Sequence, residues 1–164
     1  LRYGNVMGSR GSVIHTWRAA IREGRPLPLT HPDMTRFWLT LDDAVGYVLN
    51  ALGQMQGGEL YVPILPAAKL TDVVEAMAPG HPIDIVGLRP GGEKLHETLL
   101  SHSEADRTVI CIDSDHRLAC IVPERHQWTS NFWWNGKAFA GGMRSDIAAR
   151  LSIVDLRKML EAIP

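Results

Sequence analysis

Apolar side chains recur at helical spacing in several stretches of this chain. From Ser12 onward Val13, Ile14, Trp17, Ala20 and Ile21 keep a 3.6-residue period, and Gly24 ends the run as a glycine past a helix commonly does. A second helix is predicted from Thr40, whose hydroxyl can cap the first turn. Asp42 and Asp43 lie where the helix dipole favours negative charge. Leu41, Ala44, Val45, Val48, Leu49 and Leu52 form its apolar stripe, expected to be buried, and Gly57-Gly58 stops it. Leu70, Val73, Val74 and Met77 predict a third helix over 70–77, ended by Pro79-Gly80. A short helix is predicted over 93–100. The last helix opens at Ser152 with a capping-box-like Ser-Ile-Val-Asp and buries Ile153, Leu156, Met159, Leu160 and Ile163.

Between these helices lie short strand-like runs. Arg2 to Val6 reads as a strand with no obvious partner in the chain. Glu59 to Val62 is a strand closed by Pro63, and Ile83 to Val86 is another. Pro26 to Pro32 reads as a proline-punctuated loop. Thr108–Ile112 and Leu118–Val122 predict a hairpin around Ser114-Asp115-His116-Arg117, in a register where Cys111 faces Cys120. Directly opposed cysteines usually lie beyond disulfide reach, so two buried thiols in a reducing cytoplasm are expected. The stretch Gln127 to Gly142, with Trp128, Trp133 and Trp134, has no clean period. It reads as packing for a loop-rich tail rather than a stacking platform.

The alternation of helix and strand argues for an α/β architecture with a mixed α+β tail. The expected division places the end of a Rossmann-type sheet, with its ligand loop and following helices, in residues 1–66. Residues 67–164 form a substrate-binding region. Leu1 to Val6 begins as a strand already under way, which leaves two origins open: a piece of a longer chain, or a processed terminus.

Charge narrows the function. The 17 Lys plus Arg and 18 Asp plus Glu leave a net charge of -1, which argues against a general nucleic-acid or membrane-surface binder. No apolar run approaches the roughly 20 residues that span a bilayer. Two cysteines and seven histidines without ligand spacing give no metal site.

Arg2 through Val13 carries the most specific chemistry. A strand runs into Gly8-Ser9-Arg10-Gly11 and then a helix start, where free amides suit an anion. It lacks the Gly-Lys-Ser/Thr ending of a Walker loop and the Gly-x-Gly-x-x-Gly of a first dinucleotide turn. On residue chemistry alone it is either a ligand loop at the end of an α/β strand or a tight glycine turn.

Four ordered motifs carry a resemblance. They are Arg2-Tyr3-Gly4-Asn5-Val6-Met7-Gly8-Ser9-Arg10-Gly11-Ser12-Val13, Met34-Thr35-Arg36-Phe37-Trp38-Leu39-Thr40-Leu41, Gly57-Gly58-Glu59-Leu60-Tyr61-Val62-Pro63 and Arg89-Pro90-Gly91-Gly92-Glu93-Lys94-Leu95-His96-Glu97. Together they resemble the C-terminal half of UDP-N-acetylglucosamine 4,6-dehydratases of the polysaccharide-biosynthesis family, within the extended short-chain dehydrogenases/reductases. Gly-Ser-Arg-Gly-Ser and Thr-Arg-Phe-Trp look like the inverting branch.

The resemblance implies roles residue by residue. Asn5, Val13 and Thr30 would meet the sugar nucleotide. Val6, Met7, Gly8, Ser9 and Arg10 would pass along the nicotinamide end of NADP. Arg89 would hold the diphosphate, with Arg36 sharing the task. It also implies a homo-oligomer when full length. Some positions depart from the family pattern: Gly92 is an extra glycine, His15 replaces a proline, and Ile147-Ala148 replaces Thr-Asn. No Tyr-x-x-x-Lys occurs, since Tyr3, Tyr47 and Tyr61 are followed four residues on by Met7, Ala51 and Leu65. The chain by itself is therefore expected to catalyse nothing. A sugar-nucleotide epimerase of the same superfamily and a non-catalytic UDP-sugar-binding module remain the alternatives.

Overall fold

A computed structural model describes residues 1–112, 117–124 and 137–163. The elements in chain order are β1 (Asn5–Val6), α1 (Val13–Arg22), β2 (Leu27–Leu29), β3 (Thr35–Leu39), α2 (Leu41–Gln54), β4 (Leu60–Pro63), β5 (Ala67–Lys69) and α3 (Leu70–Met77). They continue with β6 (Ile83–Ile85), β7 (Thr98–Leu100), α4 (His102–Ala105), β8 (Thr108–Ile112), β9 (Arg117–Ile121), β10 (Lys137–Ala138), β11 (Met143–Arg144) and α5 (Ile153–Glu161). The chain forms two compact units. One comprises Leu1–Tyr3, Asp42–Ile64 and Thr98–Arg144; the other comprises Gly4–Leu41, Leu65–Glu97 and Ser145–Pro164.

The second unit is built on β3. β1 pairs with it in parallel, Asn5 beside Trp38 and Val6 beside Leu39, and β5 pairs with it on the other side, antiparallel. The apparently partnerless first strand therefore has a partner, hidden inside the Thr-Arg-Phe-Trp motif. All of β3 is buried. A fully buried strand shows no apolar/polar alternation, so the usual strand signal is absent there.

The expected loop at 26–32 contains β2, parallel to β6 in a two-stranded sheet. Pro28 lacks an N–H, but a two-stranded sheet leaves one edge of β2 without ladder bonds, where proline is tolerated. Trp17, Ile14, Leu27, Leu29, Met34, Val73 and Leu156 form the core of this unit, which α1, α3 and α5 close. Ser12 caps α1 through a bond from Ile14 N, and Gly24 follows it at φ 66°. Ser152 and Asp155 form the expected capping box of α5.

The helix expected at 93–100 does not form. Its carbonyls are taken by other donors: Arg36 bonds Lys94 O at 2.8 Å and Leu95 O at 3.2 Å, and the Thr35 amide bonds Leu95 O at 3.0 Å. His96 instead bridges Thr35, and residues 98–100 become β7.

The first unit is mainly antiparallel, with strand order β10-β8-β9-β4 and a separate β11-β7 pair. Cys111 pairs with Leu118 and Cys120 with Val109, so the register lies two residues from the expected one. A shift of two keeps every side chain on its face, because the side-chain period is also two. Both cysteines are free thiols. The neighbouring Cys111 thiol and burial push Cys120 well above the ordinary thiol range, so it stays protonated. The expected turn residues 114–116 and the tryptophans at 128, 133 and 134 lie outside the described residues.

α2 starts after Thr40 as expected, but its stripe is not buried. Val45, Val48, Leu49 and Leu52 are exposed, Leu49 at 64%, and so is Leu41; Ala44 and Ala51 are buried. Periodicity identifies which face of a helix is apolar; whether this chain covers that face is a separate matter.

Arg2 donates two bonds to Glu104, at 3.0 and 3.1 Å, while Glu104 also closes a capping box with Ser101. The Arg2 hydrogen bond, helped by the Ser101 amide, holds the Glu104 carboxyl at about 2. Its folded-state pKa is depressed, so its contribution is fully present above the unfolded value near ~4.3 and is lost as pH falls through about 2. The stability gap between wild type and Glu104→Gln, measured by urea titration at stepped pH, is expected to shrink across that window. A gap independent of pH would remove the ionic part of this contact.

Candidate functional site

The β1–α1 connection is short and sharply folded. Met7 N bonds Leu39 O, Ser9 N bonds Val6 O, and Ser12 N bonds Ser9 O at 2.8 Å. Gly8 and Gly11 sit at φ 74° and 78°, a region L side chains rarely adopt. His15, where the family pattern has proline, donates from Nε2 to Gly8 O at 2.8 Å and so ties the loop to the first turn of α1.

This loop forms one wall of a cleft of about 280 Å³. Asn5, Val6, Ser9, Arg10, Val13, Thr30, Arg36 and Arg89 all line it. Eight of the ten residues expected to contact ligand are thus brought together. Met7 and Gly8 are not among them. Met7 belongs to the core, and a Cβ on Gly8 would lie 2.6 Å from Ile163. Both line a smaller hollow of about 80 Å³ beside Met159 and Ile163. For a nicotinamide cofactor the chain therefore offers one partial wall, Val6, Ser9 and Arg10, and the fit is confined to that edge.

The two arginines are in different situations. Arg89 has an exposed side chain (78%), and Glu93 accepts from its Nη2 at 2.9 Å and from its backbone N–H at 2.9 Å. That fold-back turns through Gly91 and Gly92, both at positive φ. The hydrogen bond and charge of Glu93 raise the Arg89 pKa, and the Arg89 bond lowers that of Glu93.

Arg36 is 8% exposed, and its Nη1 and Nη2 donate to backbone carbonyls. It bonds Thr35 O at 2.8 Å as well as the carbonyls of Lys94 and Leu95, with Glu97 at 3.6 Å and Glu93 at 4.0 Å. Burial pulls its pKa down, against Glu97 and Glu93, which raise it. Arg36 therefore clamps the 93–97 segment and adds positive charge behind the cleft. Ser145 secures the same segment. Thr35 Oγ1 lies 2.6 Å from Ser145 Oγ and 2.8 Å from His96 Nδ1, and the Glu97 amide donates to Ser145 Oγ.

Sequence reasoning did not select Trp38 or Glu93, which also line the cleft. Reading Thr35–Leu39 as a strand would have placed Arg36 and Trp38 on one face, two residues apart. Three arginines against one glutamate make the cleft suited to an anion.

A parallel strand pair feeding a glycine/serine loop into a capped helix, with arginines lining the same cleft, is an α/β ligand-site arrangement, here on a fold of the short-chain dehydrogenase/reductase type. The chain belongs to the polysaccharide biosynthesis protein family, which it matches over residues 1–114. It is 46% identical over 108 residues to the UDP-N-acetylglucosamine 4,6-dehydratase (inverting) of Campylobacter jejuni, a stretch covering 65% of this chain and 32% of that enzyme. It is 38% identical over 107 residues to the UDP-glucose 4-epimerase of Rickettsia canadensis, covering 63% of this chain and 31% of that one. The fold superposes on the crystal structure of Pen from Bacillus thuringiensis with a TM-score of 0.79 and 31% identity, covering 96% of this chain and 46% of that chain. The matched stretch thus spans about a third of the curated relatives' length. Among the described residues no helix is long and apolar enough to cross a membrane.

Proposed function

We propose that the cleft binds the diphosphate of a UDP-sugar, and that this chain is the sugar-nucleotide-binding part of an NADP-dependent, inverting UDP-N-acetylglucosamine 4,6-dehydratase of surface-polysaccharide or nonulosonate biosynthesis. Residues 1–66 then contribute the end of the nucleotide-binding sheet, and 67–164 the substrate region. The carrying observation is that Arg89, Arg36 and the β1–α1 loop line one hollow. Asn5, Val13 and Thr30 surround the space left for the sugar nucleotide. Arg89, exposed and held only by Glu93 in the contacts described, is the direct phosphate ligand, and Arg36 supports it from behind. A guanidinium fork matches phosphate oxygens in paired, charge-assisted bonds.

NADP, when bound, supplies the hydride acceptor. Val6, Ser9 and Arg10 are the residues that would border it. With no Tyr-x-x-x-Lys present, the 164-residue chain binds without turnover. Assembly as a homo-oligomer and a cytoplasmic location belong to the same reading.

Calorimetry with UDP tests it. Arg89→Ala is expected to lose more than about 1 kcal/mol of binding free energy. Equal affinities would remove Arg89 from the site. Formation of a 4-keto product from UDP-N-acetylglucosamine by the purified chain would refute the non-catalytic part. The likeness to the Rickettsia canadensis epimerase supports a second reading, a UDP-sugar 4-epimerase. The two differ in whether water is lost from the sugar once the complete enzyme acts.

A further inference from the structure

α1, α3 and α5 border a second hollow in the same unit, of about 560 Å³ against about 280 Å³ for the cleft. The two share no lining residue. The apolar part of the second comes from Ile21, Ala76, Met77 and Leu160. Ala76 and Leu160 are buried, and Ile21 and Met77 are half-buried. Its charged side chains are Arg18 and Arg22 from α1 and Arg157 and Glu161 from α5. Arg18 Nη2 also donates to Leu160 O at 2.9 Å, which ties α1 to the last turn of α5.

Three cations thus share this groove with one carboxylate. Among the described residues, none of the three arginines has a carboxylate oxygen within 4.0 Å. Arg18 and Arg22 stand one turn apart on α1, a helix with no acidic residue. Like charges at that spacing work against the helix, and an anion shared between them relieves the repulsion. Arg22 and Arg157 are exposed, so a ligand in the groove can reach both.

The remaining lining describes the rest of that ligand. Among the described residues, no Asn, Gln, Ser, Thr or aromatic side chain borders the groove. A sugar or a base would find no neutral side chain to bond and no ring to stack on. A hydrocarbon body instead gains by leaving water for Ile21, Met77 and Leu160. Cations beside an apolar floor match an anionic head on an apolar tail.

We propose that this groove binds a single-chain amphiphilic anion, an alkyl phosphate or carboxylate. The tail lies against the apolar floor, and the arginines of α1 and α5 hold the head. The site is separate from the diphosphate cleft and does not depend on the sugar-nucleotide reading.

The test uses the 164-residue chain and decyl phosphate below its micelle-forming concentration, followed by calorimetry. One molecule is expected to bind per chain and to raise the unfolding midpoint. Arg22→Gln combined with Arg157→Gln should weaken binding at least about tenfold. Both positions are exposed, so the fold should survive the change. Arg117→Gln, on the exposed end of β9 in the other unit, should leave the affinity unchanged. Octyl phosphate should bind more weakly, by about two- to fourfold for each methylene removed. Excess UDP should not displace the probe. Equal affinity in the double variant overturns the proposal. So does equally tight binding of decyltrimethylammonium, which keeps the tail and reverses the charge, or of inorganic phosphate, which lacks the tail. Binding to phosphatidic acid vesicles without binding of the free monomer also overturns it, because the arginines would then serve a membrane surface.

Discussion

Arg36→Ala should lower the unfolding free energy of this chain by about 3 kcal/mol, as expected when one member of a buried, hydrogen-bonded charge cluster is removed. The loss has two sources. The carbonyls of Thr35, Lys94 and Leu95 lose their guanidinium donor, the first in a buried bond and the other two in part-buried ones, although Leu95 O keeps the Thr35 amide. Glu93 and Glu97 lose a neighbouring cation, leaving Glu93 with Arg89 alone among the pairs described. For a chain of this size that corresponds to a fall in Tm of about 6–12 °C. Arg36→Lys should recover part of it, since an ammonium retains the charge but cannot reach three carbonyls in a fixed fork. A loss under about 1 kcal/mol in urea titration would show that the 93–97 segment holds its place without the clamp.

Gly4→Ala should cost about 2–3 kcal/mol and weaken ligand binding together with it. A Cβ built on Gly4 lies 2.5 Å from Phe37 Cβ and 2.7 Å from Phe37 O. Phe37 is fully buried in β3, so neither atom can move aside cheaply. The strand carrying Gly4 and Asn5 must then part from β3, and Asn5 and the loop after it leave their register beside Trp38. Gly11→Ala is the comparison. It meets nothing within 4 Å, and its φ of 78° carries only backbone strain of about 1–2 kcal/mol. Equal losses for the two variants would mean that strain, not the close approach of β1 to β3, explains both.

How much was legible in the sequence depended on how local the cause was. α1, α3 and α5 followed from spacing and caps, because Ser12, Ser152 and Asp155 act within a few residues of their own position. β3 was missed as a strand because burial on both faces leaves no alternation to read. The helix at 93–100 failed for a non-local reason: its carbonyls bond to Arg36 and Thr35, about sixty positions earlier. The exposed face of α2 marks a similar boundary, since a stripe of leucines and valines reports chemistry without naming its cover. At the site, motif resemblance gathered eight residues that the fold does bring together. Only geometry separated Arg89, with its accessible side chain, from Arg36, which is a buried clamp. Glu93 and Trp38 needed coordinates, because their significance lies in what each lines or pairs with.

The Ser145 contacts have a consequence for how the cleft is made. Thr35 and Ser145 are 110 positions apart, yet their hydroxyls meet, and Ser145 also receives the Glu97 amide. During synthesis the ribosome delivers Thr35 and Arg36 long before their fastener. Until Ser145 emerges, the segment carrying Glu93 and Glu97 is held by Arg36 and Thr35 without its third anchor. The arginine-lined wall is therefore complete only once Ser145 has been made, although Thr35 precedes it by 110 positions.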